Sequence, residues 1–217
     1  MMGDRSDLPL PSSPYELVIV LVGVQHPGNL GAVCRSLLNH GYDRLRLVNP
    51  QCSPDDVEAR NRAKHAGRIL DSCEVYTSFN QAVEDCSVVV GTSGKREVGS
   101  KTQMRHFVYP WEFSERISTQ TESVALVFGE EGKGLDEEDL LNCDYLVTLP
   151  TWEGYPITNL SHAVHTLTYE LHRNRVISNQ GKDDALPSIV PLERGISAEQ
   201  RVVLRKAIMD ISKNLPG

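Results

Sequence analysis

The sequence predicts an α/β fold with a mainly parallel sheet and flanking helices. Short apolar runs rich in valine, isoleucine and leucine recur along the chain, as the buried strands of parallel sheets do. Segments with helical spacing separate these runs, and this alternation is typical of a parallel sheet covered by helices. The predicted strands are residues 17–24, 45–48, 87–90, 124–128 and 145–149.

Three segments between and after these strands are predicted helices. Leu30, Val33 and Leu37 have helical spacing ahead of Gly41. A second helix covers residues 57–70, after a turn at Ser53-Pro54. The clearest helix covers residues 159–174, with one apolar stripe that packs on the sheet: Leu160, Ala163, Val164, Leu167 and Leu171.

The chain is expected to contain one main domain, residues 15–176, after a mobile tail of residues 1–14. Residues 177–196 have the composition of a linker. A carboxyl-terminal helix, residues 197–217, opens at Ser197-Ala-Glu-Gln200, which has the spacing of a capping box. Because one helix has no core, it must dock on the main domain or a second subunit, or belong to a larger unit.

Composition favours a cytoplasmic globular protein. The 217 residues are 40% hydrophobic and 24% charged, and no apolar run approaches the roughly 20 residues that span a bilayer. The tail also lacks the apolar stretch of a signal peptide. The five cysteines show no C-x-x-C spacing, so neither a disulfide framework nor a zinc site is predicted.

The net charge of -7 argues against a surface that coats nucleic acid, so any RNA contact must be local. Two basic segments could supply it, although a solvated helix face and a charged loop explain them equally well. The first contains Arg60, Arg62, Lys64, His65 and Arg68, and the second contains Lys95, Arg96, Lys101, Arg105 and His106.

Three segments rich in glycine or side-chain amides follow predicted strands, where α/β proteins bind ligands. Residues 23–29 lead into a helix whose free N–H groups could bind an anion, although Asn29 could be only an N-cap. Residues 128–135 contain three glycines but neither the P-loop nor the dinucleotide spacing. The adjacent Glu130 and Glu131 disfavour pyrophosphate, so a neutral or cationic ligand is expected.

The third segment, residues 149–159, leads into the strongest helix, which Thr158 or Asn159 would cap. His162 and His165 could form half of a metal site, but no third ligand has suitable spacing, which favours ordinary helix histidines. Arg35 lies off the apolar stripe of its helix, where a surface arginine is the usual explanation. A guanidinium at this place could also reach a phosphate or a ribose oxygen.

In their order and spacing, these segments resemble the three signature motifs of the SpoU branch of the SPOUT RNA methyltransferases. The motifs are Asn29-Leu-Gly-Ala-Val-Cys-Arg35, Phe128-Gly-Glu-Glu-Gly-Lys-Gly-Leu135 and Asn159-Leu-Ser-His-Ala-Val164. The resemblance covers roughly residues 17–175. Within the branch, residues 155–171 look most like the TrmJ group of tRNA 2'-O-methyltransferases, which act in the anticodon loop.

The resemblance implies transfer of a methyl group from S-adenosylmethionine to a ribose 2'-hydroxyl of tRNA, at a cytidine or uridine in anticodon-loop position 32, without a metal. It also implies a carboxyl-terminal trefoil knot and a homodimer with the active site between subunits. An rRNA 2'-O-methyltransferase of the same branch is an alternative. A non-catalytic RNA-binding module is another.

By the same resemblance, the catalytic residues are Asn29, Arg35, Glu131 and Asn159. The chain departs from the family at Ile157-Thr158-Asn159, where Ser-Leu-Asn is usual, and at Glu130, where arginine is common. Neither departure touches Asn29, Arg35 or Asn159, so an active enzyme is expected. The residues expected to hold the cofactor are Thr92, Ser93, Gly94, Gly129, Leu149, Pro156, Ile157 and Thr158.

Overall fold

A computed structural model describes residues 9–94, 107–179 and 197–213. Seven strands form one sheet in the order β3-β2-β1-β6-β4-β7-β5, and every pair is parallel. The predicted α/β class with a parallel sheet is confirmed. The strands are β1 (Glu16–Val22), β2 (Arg44–Val48), β3 (Glu74–Tyr76), β4 (Val88–Thr92), β5 (Phe107–Val108), β6 (Ser123–Phe128) and β7 (Tyr145–Val147).

The described residues form eight α-helices. They are α1 (Pro27–Asn39), α2 (Val57–Ala63), α3 (Gly67–Ser72), α4 (Phe79–Val83), α5 (Pro110–Ile117), α6 (Glu137–Leu141), α7 (Leu160–Ser178) and α8 (Ala198–Lys213), with a 3-10 turn at Lys64–Ala66. Within the described residues, no helix combines the length and the apolar character needed to cross a bilayer.

Apolar side chains cover both faces of the sheet. In β1, Leu17, Ile19 and Leu21 belong to one buried cluster, while Val18 and Val20 belong to the other. Helices α1, α5 and α7 contribute to the first cluster, and α4 contributes to the second. Because the central strands are buried on both sides, their sequences are continuous apolar runs without alternation.

All five predicted strands are present, with bounds shifted by one or two residues. Sequence analysis missed β3 and β5, which have three and two residues and lie at the two edges of the sheet. The predicted helix over residues 57–70 is divided by a 3-10 turn, because Lys64 adopts a left-handed φ of 53°. The trefoil knot stays a prediction, and residues 95–106, on the path between β4 and β5, lie outside the described residues.

The chain divides into two compact units, residues 1–180 and 181–217. The capping box predicted at α8 is confirmed: the backbone N–H of Gln200 donates to Ser197 Oγ over 3.2 Å, and the backbone N–H of Ser197 donates to Gln200 Oε1 over 2.9 Å. Helix α7 continues four residues beyond its predicted end, to Ser178. Residues 1–8 of the predicted tail and residues 180–196 of the predicted linker lie outside the described residues, and the limits of the domains remain predictions.

The packing of α1 on α2 requires a glycine at Gly31. A β-carbon there would lie 2.1 Å from the carbonyl oxygen of Ala59. We expect Gly31→Ala to lower the free energy of unfolding by about 1–3 kcal/mol through overpacking, although alanine favours helices. Urea denaturation measures the change. Gly67→Ala, where no atom lies within 4 Å of the new β-carbon, is the matched control and should be neutral or mildly stabilising. Equal effects at both positions would contradict the packing argument.

A buried histidine makes stability depend on pH. The pKa of His40 is lowered to about 4, chiefly by burial and then by the nearby His165 and His172. The unfolded chain takes up this proton below about pH 6.5. The free energy of unfolding should therefore fall as the pH falls from about 6.5 to about 4. His40→Gln should flatten that slope, measured by urea denaturation at several pH values. His162→Gln, an exposed side chain on α7, is the control; a slope that survives His40→Gln would exclude His40 as its source.

Candidate functional site

The candidate site lies at the carboxyl edge of the sheet. Strands β1, β6, β4 and β7 are neighbours, and because they are parallel their carboxyl ends meet at one edge. The predicted ligand-binding segments follow these strands. A cavity of about 570 Å³ opens there, a size typical of small-molecule sites.

All eight residues predicted to hold the cofactor line this cavity. Its walls come from the ends of β4, β6 and β7, from residues 129–135 and from the start of α7, which adds Leu160, Ala163 and Leu167. Ile157 and Thr158, at the position that departs from the family motif, are part of the lining. The lining is consistent with the predicted cofactor contacts, which remain predictions for the individual residues.

Two glycines allow the backbone to close tightly around the cavity. A β-carbon at Gly129 would lie 2.0–2.4 Å from backbone atoms of Gly134 and Leu135. A β-carbon at Gly94 would lie 2.9 Å from Ile157 Cδ1. Glycine is required at Gly129 because a side chain would collide with backbone, which has less freedom to move than a side-chain end.

Glu131 is held by three donors. Its Oε2 accepts from the Gln25 backbone N–H over 2.9 Å. Its Oε1 accepts from the His26 N–H over 3.3 Å and from Asn29 Nδ2 over 2.9 Å. Burial acts to raise the pKa of Glu131, but these hydrogen bonds outweigh it and the pKa is lowered. The carboxylate is therefore ionised at neutral pH and already engaged with the chain itself.

The amides of Asn29 and Asn159 continue this network. Asn159 Nδ2 donates to Asn29 Oδ1 over 3.2 Å. Asn159 Oδ1 accepts from the backbone N–H of Ser161 over 2.9 Å and from its hydroxyl over 2.8 Å. Three of the four predicted catalytic residues, Asn29, Glu131 and Asn159, are thus joined by hydrogen bonds at the edge of the cavity.

The structure gives Asn29 and Asn159 different local positions. Asn159 is the N-cap of α7, and it is one of the two residues that were predicted for that position. Asn29 lies in the first turn of α1, whose N-cap is His26, so the interpretation of Asn29 as a simple cap is wrong. Proline at the first position of α1 favours this earlier start.

Sequence analysis predicted an anion near the start of α1 but did not identify Glu131 as that anion. The N–H groups of Gln25 and His26 bind its carboxylate, which lies more than 100 residues away in the chain. It also missed Ser161. The sequence feature that could have identified Ser161 is its place two positions after an asparagine that can cap a helix.

Arg35 lies apart from this network. Its side chain is exposed on α1 and is not part of the cavity lining. In the first basic segment, Arg60 pairs with Asp55 and Asp71, and Arg62 pairs with Glu58. Lys64, His65 and Arg68 are exposed. The second basic segment lies outside the described residues.

His162 and His165 are exposed on α7, and the His165 ring lies 4.7 Å from the ring of His40. Over residues 9–94, 107–179 and 197–213, no three histidine, cysteine, aspartate or glutamate side chains are grouped so as to hold a metal ion.

Comparison with known proteins connects this site to a family. The model of the SpoU rRNA Methylase family matches residues 16–169, which include every segment of the site. A tRNA (cytidine-2'-O-)-methyltransferase TrmJ from Methanocaldococcus jannaschii is 38% identical over 158 residues. The aligned region covers 73% of this chain and 68% of that relative.

Solved structures have the same fold. A probable methylase family protein from Haemophilus influenzae has a TM-score of 0.71 at 29% identity, over 92% of this chain and 80% of that chain. The SpoU methyltransferase AviRb from Streptomyces viridochromogenes, in complex with the cofactor AdoMet, has a TM-score of 0.60 at 22% identity. That match covers 79% of this chain and 63% of the other.

The family match covers the central region of the chain and all three motifs from which the resemblance was drawn. The chain belongs to the SpoU rRNA methylase family.

Proposed function

We propose that this protein transfers a methyl group from S-adenosylmethionine to a ribose 2'-hydroxyl of tRNA in the cytoplasm, at a cytidine or uridine in anticodon-loop position 32. The observation that carries the proposal is the small-molecule cavity whose edge holds the Glu131–Asn29–Asn159 network. The TrmJ relative, which shares 38% identity, supports tRNA as the substrate.

The cavity suits S-adenosylmethionine. Backbone approaches closely at Gly129 and Gly94. The charged residues of the lining are Glu130, Glu131 and Lys133, and their net negative charge favours a cationic ligand over an anionic one. The residues that would hold the cofactor are the eight lining residues predicted from sequence. When bound, the cofactor supplies an electrophilic methyl group on a positively charged sulfur.

The chain's own residues act chiefly by positioning the two reactants. Glu131 is an anchor in this proposal, because its oxygens already accept three hydrogen bonds and its pKa is lowered. A carboxylate in that state is a poor proton acceptor for a hydroxyl. Asn29 and Asn159 present amide groups at the edge of the cavity, where a ribose or phosphate oxygen can bind.

Arg35 would complete the site from a second subunit. It is exposed on α1 and lies outside the cavity lining, so a homodimer is the arrangement that gives it a role. The guanidinium group of an arginine stays protonated in proteins, so it is poorly suited to remove the hydroxyl proton. We therefore propose that Arg35 of the partner subunit grips the adjacent phosphate and orients the 2'-oxygen, while the proton leaves to that phosphate or to water.

The substrate is tested by incubating the protein with labelled S-adenosylmethionine and either bulk tRNA or, in a parallel reaction, rRNA, and by mapping the methylated nucleotide. Label should enter tRNA at position 32. A tRNA with a 2'-deoxy target should still bind but accept no methyl group, because the accepting oxygen is absent. Label in rRNA alone would favour the rRNA enzyme that the family name suggests. RNA binding without any label transfer would favour a non-catalytic module.

The role of Arg35 is tested by Arg35→Lys. Lysine keeps the charge but loses the planar fork that grips a phosphate through two bonds, so we expect the methylation rate to fall about a hundredfold or more. Arg44→Lys is the matched control, because Arg44 is an exposed arginine at the amino end of β2 and should tolerate the change. If Arg35→Lys kept most of the methylation rate with unchanged RNA affinity, the proposed contact of Arg35 with a phosphate through two hydrogen bonds would be wrong.

A further inference from the structure

Ser161 contacts Asn159 at the end of the Glu131–Asn29–Asn159 network, and the proposed function gives it no role. It is the second residue of α7 and is 8% exposed. Both its backbone N–H and its hydroxyl donate to Asn159 Oδ1, over 2.9 and 2.8 Å. The backbone bond is an ordinary N-cap contact, which any residue at this position would make. The hydroxyl bond depends on serine.

The network of hydrogen bonds runs from Glu131 through Asn29 and Asn159 to Ser161. The groups at its two ends determine which atom donates and which accepts in each bond. At one end, the ionised carboxylate of Glu131 can only accept, so Asn29 must turn its Nδ2 toward it. At the other end, the Ser161 backbone N–H can only donate, so Asn159 must turn its Oδ1 toward it. The contact between the two amides, Asn159 Nδ2 to Asn29 Oδ1, agrees with both ends.

This direction decides what the site presents to a substrate. Each amide nitrogen carries two hydrogens, and the network uses one hydrogen of Asn29 and one of Asn159. The other N–H of each amide lies outside the network. Asn159 is exposed at the cavity edge and Asn29 is half-buried. The pair therefore offers hydrogen-bond donors, which suit an oxygen of ribose or phosphate.

Asn159 needs more than one bond to stay in this orientation. The terminal torsion of an asparagine side chain is broad, so the orientation of the exposed Asn159 amide depends on its hydrogen bonds. Besides the bond from the Ser161 backbone N–H and the bond to Asn29, the Ser161 hydroxyl supplies a third bond that restricts this torsion. We propose that Ser161 is a positioning residue whose hydroxyl holds the Asn159 amide with its second N–H, the one outside the network, directed toward the substrate. The proposal rests on the methyl transfer proposed above, and it adds a residue that acts on the reaction through Asn159.

Ser161→Ala tests the proposal because it removes the hydroxyl and keeps the backbone N-cap bond. We expect kcat for methyl transfer to fall roughly tenfold, the value of about one neutral hydrogen bond. KM for RNA and the affinity for S-adenosylmethionine should change little, and Tm should move by only a few degrees. Thr166→Ala is the control: it removes another α7 hydroxyl, which donates to the His162 carbonyl over 2.9 Å, and should leave kcat unchanged.

A double-mutant cycle separates positioning from a general structural effect. If Ser161 acts through Asn159, Ser161→Ala should cost no further kcat in the Asn159→Ala background. The same tenfold loss in both backgrounds would overturn the proposal. So would an unchanged kcat in Ser161→Ala alone.

A second readout needs no activity. The side-chain amide signals of Asn159 in an ¹⁵N-labelled sample are identified by their loss in Asn159→Ala. Ser161→Ala should shift these signals and Thr166→Ala should not, and no shift in Ser161→Ala would overturn the proposal. If the unaltered protein transfers no methyl group, the proposed function fails, while the amide signals still decide whether Ser161 orients Asn159.

Discussion

The parallel pairing of β6 between β1 and β4 is the constraint on which the site depends. These strands are far apart in sequence, yet the register of β6 against both neighbours places Phe128 beside Leu21, with Val127 beside Gly91. Because all three strands run in the same direction, the loops that follow them emerge together. Strand β7 adds the loop before α7 at the same edge. The cavity and the network are consequences of that alignment.

Within this frame, one carboxylate links two of the loops. Glu131 receives backbone N–H groups that the turn before α1 leaves without partners, and its negative charge suits that position at a helix start. The same carboxylate orients Asn29, and Asn29 contacts Asn159 at the start of α7. The network therefore joins the segments that follow β1, β6 and β7 through polar contacts.

The positions of the charged groups separate the two halves of the proposed chemistry. The carboxylates and amides lie at the cavity, while Arg35 faces solvent on α1. A second subunit would then bring the phosphate-binding group to the substrate side.

The sequence by itself determined the class of fold and the location of the ligand-binding loops. Strands that are buried on both faces have continuous apolar sequences, which predict them directly. The capping box of α8 is predicted by the three-residue spacing of Ser197 and Gln200. Strands β3 and β5 could not be predicted from the sequence, because two or three residues at a sheet edge are too few to form an apolar pattern. The interruption of the predicted helix at Lys64 could not be predicted either, because a positive φ is usually marked by glycine and this position is a lysine.

Only the tertiary structure decided how the site residues are used. Local sequence allowed Asn29 to be a helix cap and left the anion at the start of α1 unidentified, because hydrogen-bond partners more than 100 residues apart have no local pattern. The fold brings Glu131 to that helix and gives Asn29 its partner. It likewise leaves Arg35 outside the cavity and places the Ser161 hydroxyl against Asn159. Residue types and spacing predicted a set of candidate site residues, and the long-range contacts determined what each one touches.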